Sequence, residues 1–171
     1  MIYIKAKGLE DNELYYFEVD QNRAAHRQIT VADERCVVSA FPDFQLCETE
    51  VELFEGDTEI TKEEFDRIWF SAMESYRERW ESIKAKYVPG VRVTGEIAMF
   101  YPQGVIIRIE KDVYAIAAFE EIASVSKPEF RYPGYRVDGL AAGYDEANCW
   151  LRLEGCYMTG EKLSRSVRRI V

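Results

Sequence analysis

The chain has 171 residues, 47% of them hydrophobic and 31% charged, which is enough to bury a core as one domain or two small ones. No apolar run reaches the length of a membrane span, and residues 1–13 alternate and then turn polar without the apolar core of a signal peptide. We therefore expect a cytoplasmic protein without a membrane partner.

The formal net charge of -9 belongs to the first half of the chain. Residues 1–88 carry 20 acids and 11 bases, whereas residues 89–171 carry 11 of each. The excess peaks between Asp43 and Glu64, where nine acids face only Lys62. Such a run is either a solvated face or a docking surface for a basic partner, because a field of one sign steers association and repels nucleic acid phosphate. The candidate partner-binding residues are Asp43, Glu48, Glu50, Glu52, Glu55, Asp57 and Glu59.

Residues 1–60 are predicted to form an antiparallel β-meander. Short stretches alternate between apolar and polar residues and are separated by turn residues, which is typical of strands with one buried face. We expect about five strands, at residues 1–7, 15–19, 24–32, 36–41 and 47–54.

Residues 61–88 are predicted to form a long amphipathic helix that packs on the meander and links it to the next domain. Thr61 and Glu64 form a T-x-x-E capping box, and Pro89 with Gly90 ends the pattern. A helix over residues 62–86 would be roughly 37 Å long. The aromatic residues that could form a binding stripe are Trp69, Tyr76 and Trp80. Core packing of these rings on one helix face is the preferred interpretation.

Residues 89–160 contain an internal echo that predicts a five-stranded barrel. Residues 89–95 (PGVRVTG) match residues 133–139 (PGYRVDG), and residues 106–110 match residues 150–154 with the same offset of 44. Two similar hairpins separated by a third strand are what a Greek-key barrel of five strands contains. The whole chain is thus predicted to be mostly β with one long helix, in the α+β class.

The barrel segment resembles the RNA-binding repeat of ribosomal protein S-one. Its first strand has the family's G-x-x-V-x-G-x-V form through Gly90, Val93, Gly95 and Ile97, and Gly104 follows at the family's spacing. The resemblance implies an OB-like barrel and RNA binding. The positions at which the family stacks bases on rings correspond here to Gln103, Ile106 and Ala117.

Basic and aromatic residues of the barrel form the candidate nucleic-acid site. If the apolar residues of each strand point inward, the pleat sends the arginines outward, where they can hold phosphates. Acids share the outward direction at Glu96, Glu110, Asp138 and Glu154, so cross-strand ion pairs are the alternative, and the preferred one. The candidate residues are Arg92, Phe100, Tyr101, Arg108, Arg136 and Arg152.

The first half of the chain resembles an uncharacterised bacterial domain family with a Y-x-E-[LV]-D pattern followed by K-E-E-F-x-x-I-W. The matching residues are 16–20 (YFEVD), Arg23 and residues 61–69 (TKEEFDRIW). Small acidic proteins of this kind resemble the immunity proteins of bacterial toxin systems. That resemblance implies a protein that neutralises a toxin by binding it.

The sequence predicts no enzyme, cofactor or metal site. A catalytic nucleophile needs a neighbouring base, and His26 is the sole histidine. No G-K-[ST] phosphate loop occurs, and the cysteines lack the C-x-x-C spacing of zinc sites. We expect them to be small hydrophobic residues without disulfides. They are Cys36, Cys47, Cys149 and Cys156.

Three hypotheses follow. The leading one is a non-catalytic, immunity-type inhibitor that covers a basic toxin or nuclease with its acidic surface. The alternative is RNA or single-stranded nucleic acid binding through the barrel, and the third is a homo-oligomerising structural protein, with the oligomeric state left open. A basic tail at residues 161–171 is either a short amphipathic helix or a phosphate-binding extension.

Overall fold

The computed structural model describes residues 1–8 and 10–163 and contains two compact units, Met1–Trp80 and the residues from Glu81 onward. The fold is mostly β with one long helical segment, as the sequence predicts. In the described part of the chain, no helix combines the length and the apolar character that a bilayer-crossing segment needs.

The first unit contains a five-stranded sheet with the order β4-β3-β2-β1-β5, in which all neighbours are antiparallel. The predicted meander is therefore confirmed for its first four strands, although β4 ends earlier than expected. The strands are β1 (Ile2–Lys7), β2 (Glu13–Val19), β3 (Ala25–Ala32), β4 (Arg35–Val38) and β5 (Thr58–Glu59).

The expected fifth strand at residues 47–54 is wrong. That stretch has no regular structure, and β5 is instead a two-residue strand that pairs with Ile4 and Lys5 of β1. The alternating residues 47–54 lie over a face of the sheet, where Val51 joins the core cluster of Ile4 and Phe17. The segment lies across the sheet face because Val51 is buried by side-chain contact with that face. This burial does not require the segment to form backbone hydrogen bonds as a strand of the sheet.

Both faces of this sheet are covered, because successive residues of a strand point to opposite sides. Phe17 and Val19 of β2 belong to the core cluster on the side of the irregular segment. On the other side, the ring of Tyr3 lies 5.4 Å from the ring of Phe65, and Glu18 bonds to Arg27, which in turn bonds to the helix. The sheet therefore packs against a helix on one face and an irregular segment on the other.

The helical segment starts where the capping box predicts. The side chain of Thr61 accepts a hydrogen bond from the backbone N–H of Glu64, and three residues in a 3-10 turn interrupt the helix at Glu74–Tyr76. All the aromatic residues of the predicted core face are buried, which confirms core packing over an exposed binding stripe. The two parts are α1 (Lys62–Met73) and α2 (Arg77–Lys86).

The second unit is a closed five-stranded barrel with the order β10-β8-β7-β6-β9. The two echoing segments form the neighbouring antiparallel strands β6 and β9, β8 runs parallel to β10, and helix α3 lies between β8 and β9. The predicted five-stranded barrel is thus confirmed, and its closure is consistent with an OB-like fold. Its elements are β6 (Arg92–Tyr101), β7 (Gly104–Glu110), β8 (Val113–Ala117), α3 (Phe119–Val125), β9 (Arg136–Asp145) and β10 (Trp150–Tyr157).

The basic tail begins within the described residues. Lys162 forms a bridge with Tyr135, and the backbone N–H of Leu163 donates to the carbonyl of Gly134 at 2.9 Å. The predictions for the rest of the tail, whether a helix or a phosphate-binding extension, lie outside the described residues.

Candidate functional site

The acidic segment, defined here as residues 43–59, is held by hydrogen bonds to the first sheet. The buried side chain of Gln28 accepts the backbone N–H of Cys47 at 2.7 Å, and the carbonyl of Arg23 accepts the N–H of Val51 at 2.9 Å. Both contacts come from β3 or the turn that precedes it. An irregular segment is thereby given a defined path across the sheet.

Two of the predicted partner-binding acids have structural roles. One carboxylate oxygen of Asp57 accepts the backbone N–H of Lys7 at 3.0 Å, and the other accepts the N–H of Phe54 at 2.9 Å. Asp43 accepts the N–H of Val38 at 3.0 Å and so fixes the turn after β4. These two carboxylates hold the ends of the acidic segment.

The other five acids point to solvent. Each of these residues is exposed, and none forms an ion pair within residues 1–8 and 10–163. Because the backbone between them is bonded to the sheet, their charges are presented from a fixed surface. They are Glu48, Glu50, Glu52, Glu55 and Glu59, and we call them the glutamate surface.

An apolar groove of about 560 Å³ lies beside the glutamate surface. Its floor is formed by Ala6 with the stacked rings of Tyr15 and Phe17, whose centroids are 5.9 Å apart. Val51 and Phe54 of the acidic segment form a wall, and Phe54 is 69% exposed. Glu50, Glu52 and Lys7 also line it.

The barrel has a separate cleft of about 410 Å³ lined by Arg92, Arg136, Asp138 and Tyr157. Arg136 bonds to Asp138 at 2.9 Å and to Glu161 at 2.9 Å, so its charge is compensated. Burial acts to raise the pKa of Asp138, but hydrogen bonds from Arg136 and Thr94 outweigh it and hold that pKa below its ordinary value. Arg92 is exposed and makes no ion pair among the described residues.

The remaining candidate nucleic-acid residues do not join this cleft. Arg108 forms a cross-strand ion pair with Glu96, as the preferred interpretation expected, and Arg152 is exposed on β10. The ring of Phe100 lies 6.4 Å from the ring of Phe119, and Tyr101 lies 5.8 Å from Trp150. Burial of Tyr101 raises its pKa. Both rings come from the last two residues of β6 and contact other aromatic rings of the same unit.

The positions that stack bases in the resembled family are unsuited to stacking. Ile106 and Ala117 are buried, and neither carries a ring. Gly104, beside them, closely approaches the backbone of β8, since an added Cβ would lie 2.5 Å from the carbonyl oxygen of Ala117. Base stacking contributes about 1 to 3 kcal/mol per base in single-strand sites, and this barrel lacks that contribution at these positions.

Within residues 1–8 and 10–163, no three histidine, cysteine or carboxylate side chains are grouped as metal ligands. His26 lies on β3 with its Nε2 3.4 Å from Asp20.

The four cysteines are free, and they do not share one environment. Cys149 and Cys156 are buried, and burial of Cys156 raises its pKa to about 12. Cys36 is exposed, so the expectation that all four serve as small hydrophobic residues is wrong for it. Cys149 lies in a turn with φ of 56°, directly before β10 starts at Trp150.

The sequence interpretation missed the groove residues and the bonding role of Asp57. The alternation of Tyr15 and Phe17 on one side of β2 indicates a shared face, but it does not show that this face is incompletely covered. The turn sequence at residues 54–57 (FEGD) does indicate that an aspartate bonds to nearby backbone, since Asp favours such turns.

Comparison with known proteins identifies no relative from which a function could be inferred. No protein-family model matches the chain, and no curated protein matches its sequence.

Proposed function

We propose that this protein is a non-catalytic binding protein that uses the glutamate surface to bind a basic protein partner. The observation that carries the proposal is the exposure of five glutamates on one segment whose backbone is bonded to the sheet. A rigid field of one sign accelerates encounter with a partner of opposite charge and disfavours acidic ones.

Fixed backbone geometry matters to this proposal. A mobile acidic run would lose conformational entropy on binding, whereas a segment already held by Gln28, Arg23 and Asp57 has been ordered by folding. The favourable binding free energy of its charges is therefore reduced less by loss of conformational entropy. This supports a specific docking surface over a merely solvated face.

The proposed partner is a basic toxin or nuclease, and the protein is proposed to act in the cytoplasm as an immunity-type inhibitor. The support is the likeness of small acidic proteins to immunity proteins, together with the charge segregation. A protein that covers a nuclease needs a surface that imitates the negative charge of the substrate. The glutamate surface supplies that charge.

The test is affinity capture from native lysate with the wild-type protein and a variant whose glutamate surface is neutralised. We expect the wild type to retain a stoichiometric protein partner at low salt and to release it at high salt. The variant should fail to retain this partner. The variant carries Glu48→Gln, Glu50→Gln, Glu52→Gln, Glu55→Gln and Glu59→Gln.

A matched control removes the same number of negative charges from exposed positions elsewhere. The control should capture the partner as the wild type does. Capture of nucleic acid alone, or equal loss in both variants, would contradict the proposal. The control carries Glu10→Gln, Asp11→Asn, Glu120→Gln, Glu129→Gln and Glu154→Gln, all at exposed residues.

A second candidate function is binding of RNA or single-stranded nucleic acid by the barrel. It is favoured by the cleft in which Arg92 is exposed beside Tyr157. Compensation of Arg136 and Arg108 by acids weakens it. Titration with single-stranded RNA at physiological salt tests it, and an absence of binding below about 10⁻⁴ M would remove it.

A further inference from the structure

We propose that the groove beside the glutamate surface binds a large apolar side chain of the partner, flanked in the partner's sequence by lysine or arginine. This inference rests on the proposed function and specifies the partner's chemistry. It predicts that the recognised element is a short segment with an aliphatic or aromatic anchor between basic residues.

The groove has the size and composition of an anchor pocket. Its volume of about 560 Å³ lies within the range of roughly 300–1,000 Å³ common to ligand pockets. Ala6 and Phe17 of the floor and Val51 of the wall belong to the core cluster, so the groove is lined by apolar residues that are packed into the core. Side chains that fill such pockets, above all aromatic ones, contribute most of the affinity in many protein interfaces.

Phe54 is placed at the edge of the groove by the Asp57 carboxylate, which accepts its backbone N–H. With 69% of its surface exposed, the ring contributes little to the core of the free protein. An anchor side chain in the groove would cover this ring on one side and Tyr15 on the other. The bound state would thus bury apolar surface that the free protein leaves in water.

The charge around the groove selects basic flanks. Glu50 and Glu52 line it, both are exposed, and neither is paired with a base in the described part of the chain. Lys7 is the basic residue of the lining, and its Nζ would lie 3.5 Å from a Cβ added at Gly56. Carboxylates beside an apolar floor complement a peptide that alternates basic and apolar residues.

The experiment uses a panel of labelled peptides in which one central residue is flanked by two lysines on each side. Binding to the full chain is measured by fluorescence anisotropy, and the contact site is located by amide chemical-shift changes. Peptides with central Leu, Phe or Trp should bind about tenfold more tightly than the Gly peptide. Burial of a large apolar side chain lowers the dissociation constant of a complex by about this factor.

Two groove variants and one control identify the site. Phe54→Ala removes the exposed ring, and Thr49→Trp places bulk in the groove from an exposed lining position. Both should abolish the preference for a large central residue while leaving the Gly peptide unchanged. Phe70→Ala removes a ring of α1 that is 40% exposed and outside the groove lining, and it should bind like the wild type.

The failures of the two proposals are distinguishable. Equal affinity for every central residue, with binding still lost in the glutamate-surface variant, would overturn the anchor and leave the acidic docking surface intact. Shifts confined to residues outside the groove, or an absence of binding by every peptide, would also overturn the anchor. Salt-independent peptide binding that the glutamate-surface variant retains would contradict the proposed function.

Discussion

Asp57 accepts the backbone N–H of Phe54 at 2.9 Å with one carboxylate oxygen, while its other oxygen accepts the N–H of Lys7 at 3.0 Å. A single side chain therefore joins the end of the acidic segment to the first strand. The negative charge that the sequence places in this region serves two purposes, since some carboxylates organise the backbone and others face solvent.

Replacement of Asp57 by Ala should destabilise the protein by about 1 kcal/mol, the usual effect of removing a carboxylate that accepts backbone N–H groups at a turn or helix start. Urea unfolding measures the change. Glu55→Ala is the control, because Glu55 is exposed and unpaired among the described residues, and its effect should stay within about 0.5 kcal/mol. Equal effects of the two substitutions would disprove the role given to Asp57.

Arg27→Met should be strongly destabilising. The guanidinium is buried, bonds to Glu18 at 2.6 Å and to Asp66 at 3.0 Å, and lies 4.8 Å from the centre of the Phe65 ring. Removing one partner of a buried ion pair leaves uncompensated charge and costs about 3 to 5 kcal/mol. The free energy of unfolding, measured in urea, checks this value.

The control for Arg27→Met adds Glu18→Gln and Asp66→Asn to the same chain. Since the carboxylates that lose their arginine partner are then absent, the triple variant should recover part of the lost stability. A triple variant less stable than Arg27→Met would contradict uncompensated charge as the cause of the destabilisation.

Asp66 should make stability depend on acidity below its ordinary pKa of 3.8. Burial acts to raise the pKa of this carboxyl, but hydrogen bonds from Lys62 and Arg27 outweigh it and lower the pKa in the folded protein. The stabilisation is therefore fully present above 3.8 and is lost as the pH falls through the lower folded value. The difference in free energy of unfolding between the wild type and Asp66→Asn should therefore shrink as the pH falls through this range. A difference that stays constant with pH would contradict the prediction.

Gly104→Ala should destabilise the barrel, because the added methyl group would lie 2.5 Å from the backbone oxygen of Ala117 at a residue whose φ is 151°. Overpacking of this kind costs about 1 to 3 kcal/mol. Gly143→Ala is the matched control on β9, since nothing lies within 4 Å of its added methyl group. Equal losses of thermal stability in the two variants would show that the close contact with Ala117 is not the cause.

The local signals of the sequence predicted most of the fold. The capping box located the helix start at Thr61, and the echoing segments at residues 89–95 and 133–139 identified two barrel strands, between which Thr94 bonds to Asp138. These features depend on residues close in sequence or on a repeated pattern. Predicting them does not require knowing which segment packs against each face of a sheet.

Long-range packing accounts for what the sequence did not predict. Val51 alternates with glutamates as in a strand, yet it serves the core from an irregular segment because the face bearing Phe17 requires a cover. The groove arises from the incomplete fit of that cover. The hydrogen bonds from Cys47 to Gln28 and from Val51 to Arg23 likewise join residues far apart in the chain, and single-sequence patterns carry no such information.

Calorimetric titration of the captured partner against the wild type and the glutamate-surface variant tests the central claim most directly. At about 50 mM salt the wild type should bind at least about tenfold more tightly than the variant, and at about 500 mM salt the two affinities should converge, because exposed charges are screened. The matched control with five acids removed elsewhere should follow the wild type. Equal affinity of wild type and glutamate-surface variant at both salt concentrations would contradict the account.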